Sequence, residues 1–103
     1  MSDREAEFKA LISEFPDSPM GHFSLGKLYL EQQKWADAAG CFAEATRLDG
    51  NYAAAWVGLG DAHGGAGNAA EAKAAYGKAL ETPHGRRDMS LQGDLEERIR
   101  ELG

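Results

Sequence analysis

The chain is short of the features that would place it outside the cell, in a membrane or on nucleic acid. It has one cysteine, Cys41, in 103 residues. A lone thiol cannot form an internal disulfide, so a reducing compartment is expected. No apolar run approaches the roughly 20 residues that a membrane-spanning helix needs, and residues 1–7 are acidic, without the apolar core of a signal peptide. A cytoplasmic location away from the membrane is therefore expected. Basic residues are in deficit: 11 Lys and Arg stand against 17 Asp and Glu, a net charge of −6. Nucleic-acid phosphates demand a basic face, and the one basic cluster, Arg86 and Arg87 beside His84, is small, which argues against a nucleic-acid partner.

Chemistry-bearing motifs are equally sparse. The run GLGDAHGGAG at 58–67 spaces its glycines as GxGxxxG, with no strand before it and no Lys-Ser or Lys-Thr after it, so it reads as a glycine-laden helix and not a phosphate loop. His22, His63, His84 and Cys41 share no helix face and no CxxC spacing; no metal or cofactor is expected. Cys41 sits one residue before Phe42 in a helical stripe, without a glycine turn to present it as a nucleophile. No enzyme activity is expected.

What is present is ordinary globular material. Hydrophobic residues make up 43% and charged residues 27%, enough for one domain with one modest core. Phe8, Leu11, Ile12 and Phe15 recur at helical intervals up to Pro16, behind a Ser2–Glu5 spacing of the capping-box kind. Asp17, Ser18 and Pro19 then signal a helix start. That next helix carries Met20, Phe23, Leu25, Leu28, Tyr29 and Leu30 on more than one side and must touch two neighbours. Gln33 and Lys34 mark a turn before the stripe Trp35, Ala38, Phe42, Ala45, Leu48. Asn51 is expected to cap a helix through Trp56, Leu59, Gly60 and His63, and Asn68 with Glu71 to open the next, with Ala72, Tyr76, Ala79 and Leu80. Residues 84–87 read as a linker. Leu91, Leu95, Ile99 and Leu102 define a last amphipathic helix, with Glu96, Glu97, Arg98, Arg100 and Glu101 as its wet side.

Set beside itself at an offset of about 34 residues, the chain places Leu25 on Leu59, Gly26 on Gly60, Tyr29 on His63, Ala38 on Ala72, Phe42 on Tyr76 and Ala45 on Ala79. Small residues fall on small, large on large. Leu-Gly, an aromatic, Ala, Phe or Tyr, and Ala again resembles the tetratricopeptide repeat. The resemblance implies an all-α fold: a right-handed stack of antiparallel helix hairpins, about six helices in all. It divides the chain into a half repeat at 1–16, repeats at 19–52 and 53–86, and a capping helix at 88–103. Gly26 opposite Ala38, and Gly60 opposite Ala72, are then the close crossings of the two hairpins, and Phe42 and Tyr76 plug the space toward the next hairpin. Gly50 and His84 depart from the proline of the pattern. Gly58, Gly60, Gly64 and Gly65 should make the helix that carries them the softest.

The resemblance also implies a concave face lined by the first helix of each repeat. By position it would show Met20, Phe23, Lys27, Leu30 and Glu31, then Ala54, Val57, Asp61, Gly64 and Gly65, the glycines leaving a shallow hollow. Phe23, Lys27, Val57 and Asp61 stand where the chaperone-tail clamp of the family needs Lys, Asn and Arg, so that clamp is rejected. The implied function is a protein-interaction module holding a peptide or partner helix with Met20, Phe23, Lys27, Leu30, Val57 and Asp61. Two alternatives stay open. The same apolar residues pack under the last helix, or they pair two copies into a homodimer.

Overall fold

The computed structural model describes residues 3–103 and is helical throughout. Seven helices follow in order: α1 Asp3–Glu14, α2 Met20–Glu31, α3 Trp35–Leu48, α4 Ala53–Gly65, α5 Ala69–Glu81, α6 Pro83–Arg87 and α7 Met89–Glu101. Each packs chiefly on its neighbours along the chain, α1 on α2, α2 on α3, α3 on α4 and α4 on α5, while α7 lies against α5 and α6. This is the hairpin stack expected from the 34-residue offset, with α2–α3 and α4–α5 as the two hairpins.

The two hairpin turns have the same geometry. After α2, Gln33 N–H donates to the Leu30 carbonyl and Lys34 N–H to the Tyr29 carbonyl; after α4, Gly67 N–H donates to Gly64 and Asn68 N–H to His63. This crossed pair is the Schellman closure, which needs a left-handed residue just past the helix. Gly67 takes it at φ +84°, and Gln33 takes it at φ 59° despite its side chain.

Large rings fill glycine gaps. Phe42 is fully buried and lies between Gly26 of its own hairpin and Gly58 of the next, and Tyr76 lies against Gly60. A Cβ on Gly26 would stand 3.0 Å from the Phe42 ring, and on Gly58 or Gly60 it would enter the ring. The rings of Phe42 and Tyr76 are thus what stand nearest the glycines expected at the two crossings. Gly26 and Gly60 face the rings of Phe42 and Tyr76, while Ala38 and Ala72 are buried beside those rings in the same clusters. Gly65 accommodates Trp35 in the same way, 2.5 Å from a Cβ position.

Several local expectations also change. Ser2 lies outside the described residues. Phe15 is 52% exposed, so the α1 stripe ends at Ile12, which meets Gly21 of α2. Tyr52, not Asn51, stands at the N-cap of α4, and Asn68 occupies the N-cap of α5 without a side-chain bond. The linker at 84–87 is a helix. Thr82 caps it by accepting from Gly85 N–H, Pro83 opens it, and Gly85 passes so close to the Ala79 carbonyl that no side chain fits.

Candidate functional site

Side chains from α2, α4 and the C-terminal helices α6 and α7 enclose one hollow of about 300 Å³, near the lower end of ligand pockets. Phe23, Lys27 and Leu30 line it from α2, where steps of four and three keep them on one face. Ala54, Val57 and Asp61 line it from α4 at steps of three and four, Val57 and Asp61 standing one repeat after Phe23 and Lys27. Leu91, Asp94 and Arg98 complete it from α7, with His84 and Asp88 at the end.

Phe23 is held from two sides. Its ring meets the buried Phe42 edge-on at 5.8 Å and leans on Tyr52 at 4.9 Å. Val57 and Leu91 pack against the cluster of Ala72, Tyr76, Ala79 and Leu95, so both the floor and the α7 wall are extensions of the core. Leu95 is fully buried and fixes α7 in place.

The polar groups of the walls are mostly spoken for. Asp61 Oδ1 accepts from the Tyr76 hydroxyl at 2.6 Å and from Arg98 Nη1 at 2.8 Å. Arg98 Nη2 reaches Asp94 at 3.1 Å. Burial pushes the Tyr76 phenol far above its ordinary range, and the bond it donates to Asp61 pushes it further. Burial disfavours the charged Arg98, but the Asp61 and Asp94 carboxylates together outweigh it and hold the guanidinium above its ordinary value. Asp88 accepts from Leu91 N–H at 2.9 Å through Oδ1, capping α7, and meets His84 at 3.1 Å through Oδ2. Lys27 is exposed and has no ion-pair or hydrogen-bond partner among the described residues.

Of the residues expected on the face, Phe23, Lys27, Leu30, Val57 and Asp61 come together on this hollow, and Met20 does not. Met20 stands at the start of α2, 55% exposed, its sulfur 3.8 Å from the Tyr52 hydroxyl. Glu31 is drawn away to Arg4 of α1 at 3.1 Å. Gly64 and Gly65 do not line the hollow; a side chain on Gly64 would meet Leu102, and one on Gly65 would run into the Trp35 ring. Arg98, expected on the wet side of α7, follows Leu91 and Leu95 and precedes Leu102 at steps of four, three and four, which sets it at the edge of the apolar stripe.

Among the described residues no group of three or more His, Cys, Asp or Glu side chains is placed to hold a metal ion. No helix is long and apolar enough to cross a membrane. A second, shallower groove between α1 and α3 is bordered by Ile12, His22, Tyr29 and Cys41. Burial, with Asp37 nearby, pushes the Cys41 thiol up to about 11, so it is a poor nucleophile.

Comparison with known proteins decides the family. The tetratricopeptide repeat matches residues 4–53 and again 23–86. The chain belongs to the tetratricopeptide repeat family. Its fold is similar to the solution structure of protein BPP2914 from Bordetella parapertussis, at a TM-score of 0.80 and 27% identity. That likeness covers 99% of this chain and 89% of the other. No curated protein matches the chain. Tetratricopeptide repeats generally mediate protein–protein interaction, and the hollow is part of such a stack.

Proposed function

We propose that this chain is a non-catalytic protein-interaction module that takes a peptide or a partner helix in the hollow between α2, α4 and α7. The observation that carries the reading is the convergence of Phe23, Lys27, Leu30, Val57 and Asp61 from two repeats on one cavity, with an apolar floor and charged walls. Few precisely placed polar groups around an apolar centre is the composition of a recognition site. Leu91 and Arg98 join the set from α7, so the capping helix serves as a wall of the site and not as a lid over it. Met20 is left out of the binding set.

A photo-crosslinking side chain tests this when placed at Ala54, exposed on the wall, and as a control at Ala43, exposed on α3 away from it. Partner adducts in cell extract form at Ala54 and not at Ala43. Equal adducts at both positions, or adducts at Ala43 alone, overturn the assignment. The competing reading, a homodimer, draws support from the exposed Met20 and Met89, at 55% and 82%. Sedimentation over a range of concentrations separates the two, because a binding module stays monomeric while a dimer shifts with dilution.

A further inference from the structure

The walls of the hollow differ in what they leave unsatisfied. Arg98 is shared by Asp61 and Asp94, Asp61 also accepts from Tyr76, and Asp88 is bonded by His84 and by the N-terminal turn of α7. A basic side chain entering here would meet carboxylates already paired with Arg98 or His84, and would do so beside the unpaired Lys27 ammonium. Lys27 is the one charged side chain of the lining with no partner at all among the described residues, and it stands next to Phe23, Leu30 and Val57. The chain's charge of −6 does not reverse this preference. At physiological salt, charges farther apart than about 8 Å are largely screened, whereas a contact at Lys27 is not.

We infer that the occupant of the hollow is a peptide segment carrying a carboxylate within one helical turn of a large apolar side chain. The carboxylate meets Lys27, and the apolar group seats on Phe23, Leu30, Val57 and Leu91. This rests on the reading of the hollow as the binding surface. A charge-assisted bond of this kind is shorter and stronger than a neutral one and sets the direction in which the segment lies.

The test selects displayed random peptides of about 12 residues, some three helical turns, on the intact protein, on Lys27→Glu, on Ala54→Gln and on a tag-only control. Both substituted residues are exposed, and circular dichroism and melting of each variant are read first. The intact protein enriches Asp or Glu within four positions of Leu, Ile, Met, Phe or Trp, and such a synthetic peptide binds Lys27→Glu about tenfold more weakly. Selection on Lys27→Glu turns the enriched charge to Lys or Arg. A pool that is neutral or basic, or one indifferent to Lys27→Glu yet lost on Ala54→Gln, overturns the inference and leaves the hollow as the binding surface. Binding that survives both substitutions, or no enrichment above the control, overturns both.

Discussion

Arg98 of α7 and Asp61 of α4 meet at 2.8 Å across the side of the hollow, bridging two helices that are otherwise joined through apolar packing. The side chains are 36% and 31% exposed, so the pair is neither free in water nor sealed from it. Exposed pairs contribute up to about 1 kcal/mol, and that portion is screened by salt. Arg98→Ala is therefore expected to lower stability by about 1 kcal/mol and to speed amide exchange in α7 more than in α2. The loss should shrink in molar salt. Unchanged exchange in α7 would mean that Leu95 alone holds the helix.

Glycine-to-alanine changes should split in sign according to what faces the new methyl. At Gly77 nothing lies within 4 Å, so Gly77→Ala should gain up to about 1 kcal/mol of helix propensity. At Gly58 the methyl enters the ring of the fully buried Phe42, which has nowhere to go. Gly58→Ala should cost about 1–3 kcal/mol as overpacking, and Phe42→Leu in the same chain should return part of it. Urea unfolding of the three variants measures this; two losses or two gains at Gly58 and Gly77 would contradict the packing.

The hairpin turns predict a second pair of opposite effects. Gln33 holds a left-handed conformation at φ 59° that Gly67 holds at the matching place one repeat later. A side chain there costs about 1–2 kcal/mol relative to ordinary helical backbone, part of which glycine returns in unfolded-state entropy. Gln33→Gly should raise the melting temperature by a few degrees and Gly67→Ala should lower it by about 4–8 °C for about 1 kcal/mol in a domain of this size. Lys34, 5.7 Å from the centre of the Tyr29 ring, should keep its place in both.

Cys41 gives a pH-dependent signal. Burial and the neighbouring Asp37 raise its thiol from an ordinary 9.0 to about 11. At pH 8 the folded chain should react with a disulfide reagent about 100-fold more slowly than the urea-unfolded chain, since only the thiolate attacks. The folded state holds this proton more tightly than the unfolded one. The stability it contributes is therefore fully present below about pH 9 and is lost as pH rises through about 11. Cys41→Ser should flatten that part of the stability curve, and equal reactivity of folded and unfolded chains at pH 8 would refute the burial of the thiol.

The 34-residue offset was enough to read the hairpins, because small and large residues recur where the same crossings recur. It could not say which ring fills which gap. Gly26 and Ala38 are equivalent to Gly60 and Ala72, but equivalence relates one hairpin to the next and not a helix to its partner, so Phe42 and Tyr76 went unpaired with the glycines they occupy. The short helix α6 was missed because five residues carry no periodicity; Thr82, Pro83 and the tight passage of Gly85 are its signals. On the hollow, Phe23, Leu30 and Val57 were legible from the spacing of one helix face. Arg98 was not, because a charge on the flank of an amphipathic helix looks the same whether it meets water or an aspartate thirty-seven positions back in the chain.

The helix with most glycines, α4, is also the one into which its neighbours press their rings. Each glycine there weakens the isolated helix by up to about 1 kcal/mol against alanine, while each ring it admits strengthens a boundary between helices. Free energy is thereby moved out of the single repeat and into the joints on either side. In a linear array that balance favours all-or-none transitions over fraying from one end. A two-repeat stack built this way should melt in a single step, with its weakest segment at the centre acting as the element that couples the halves.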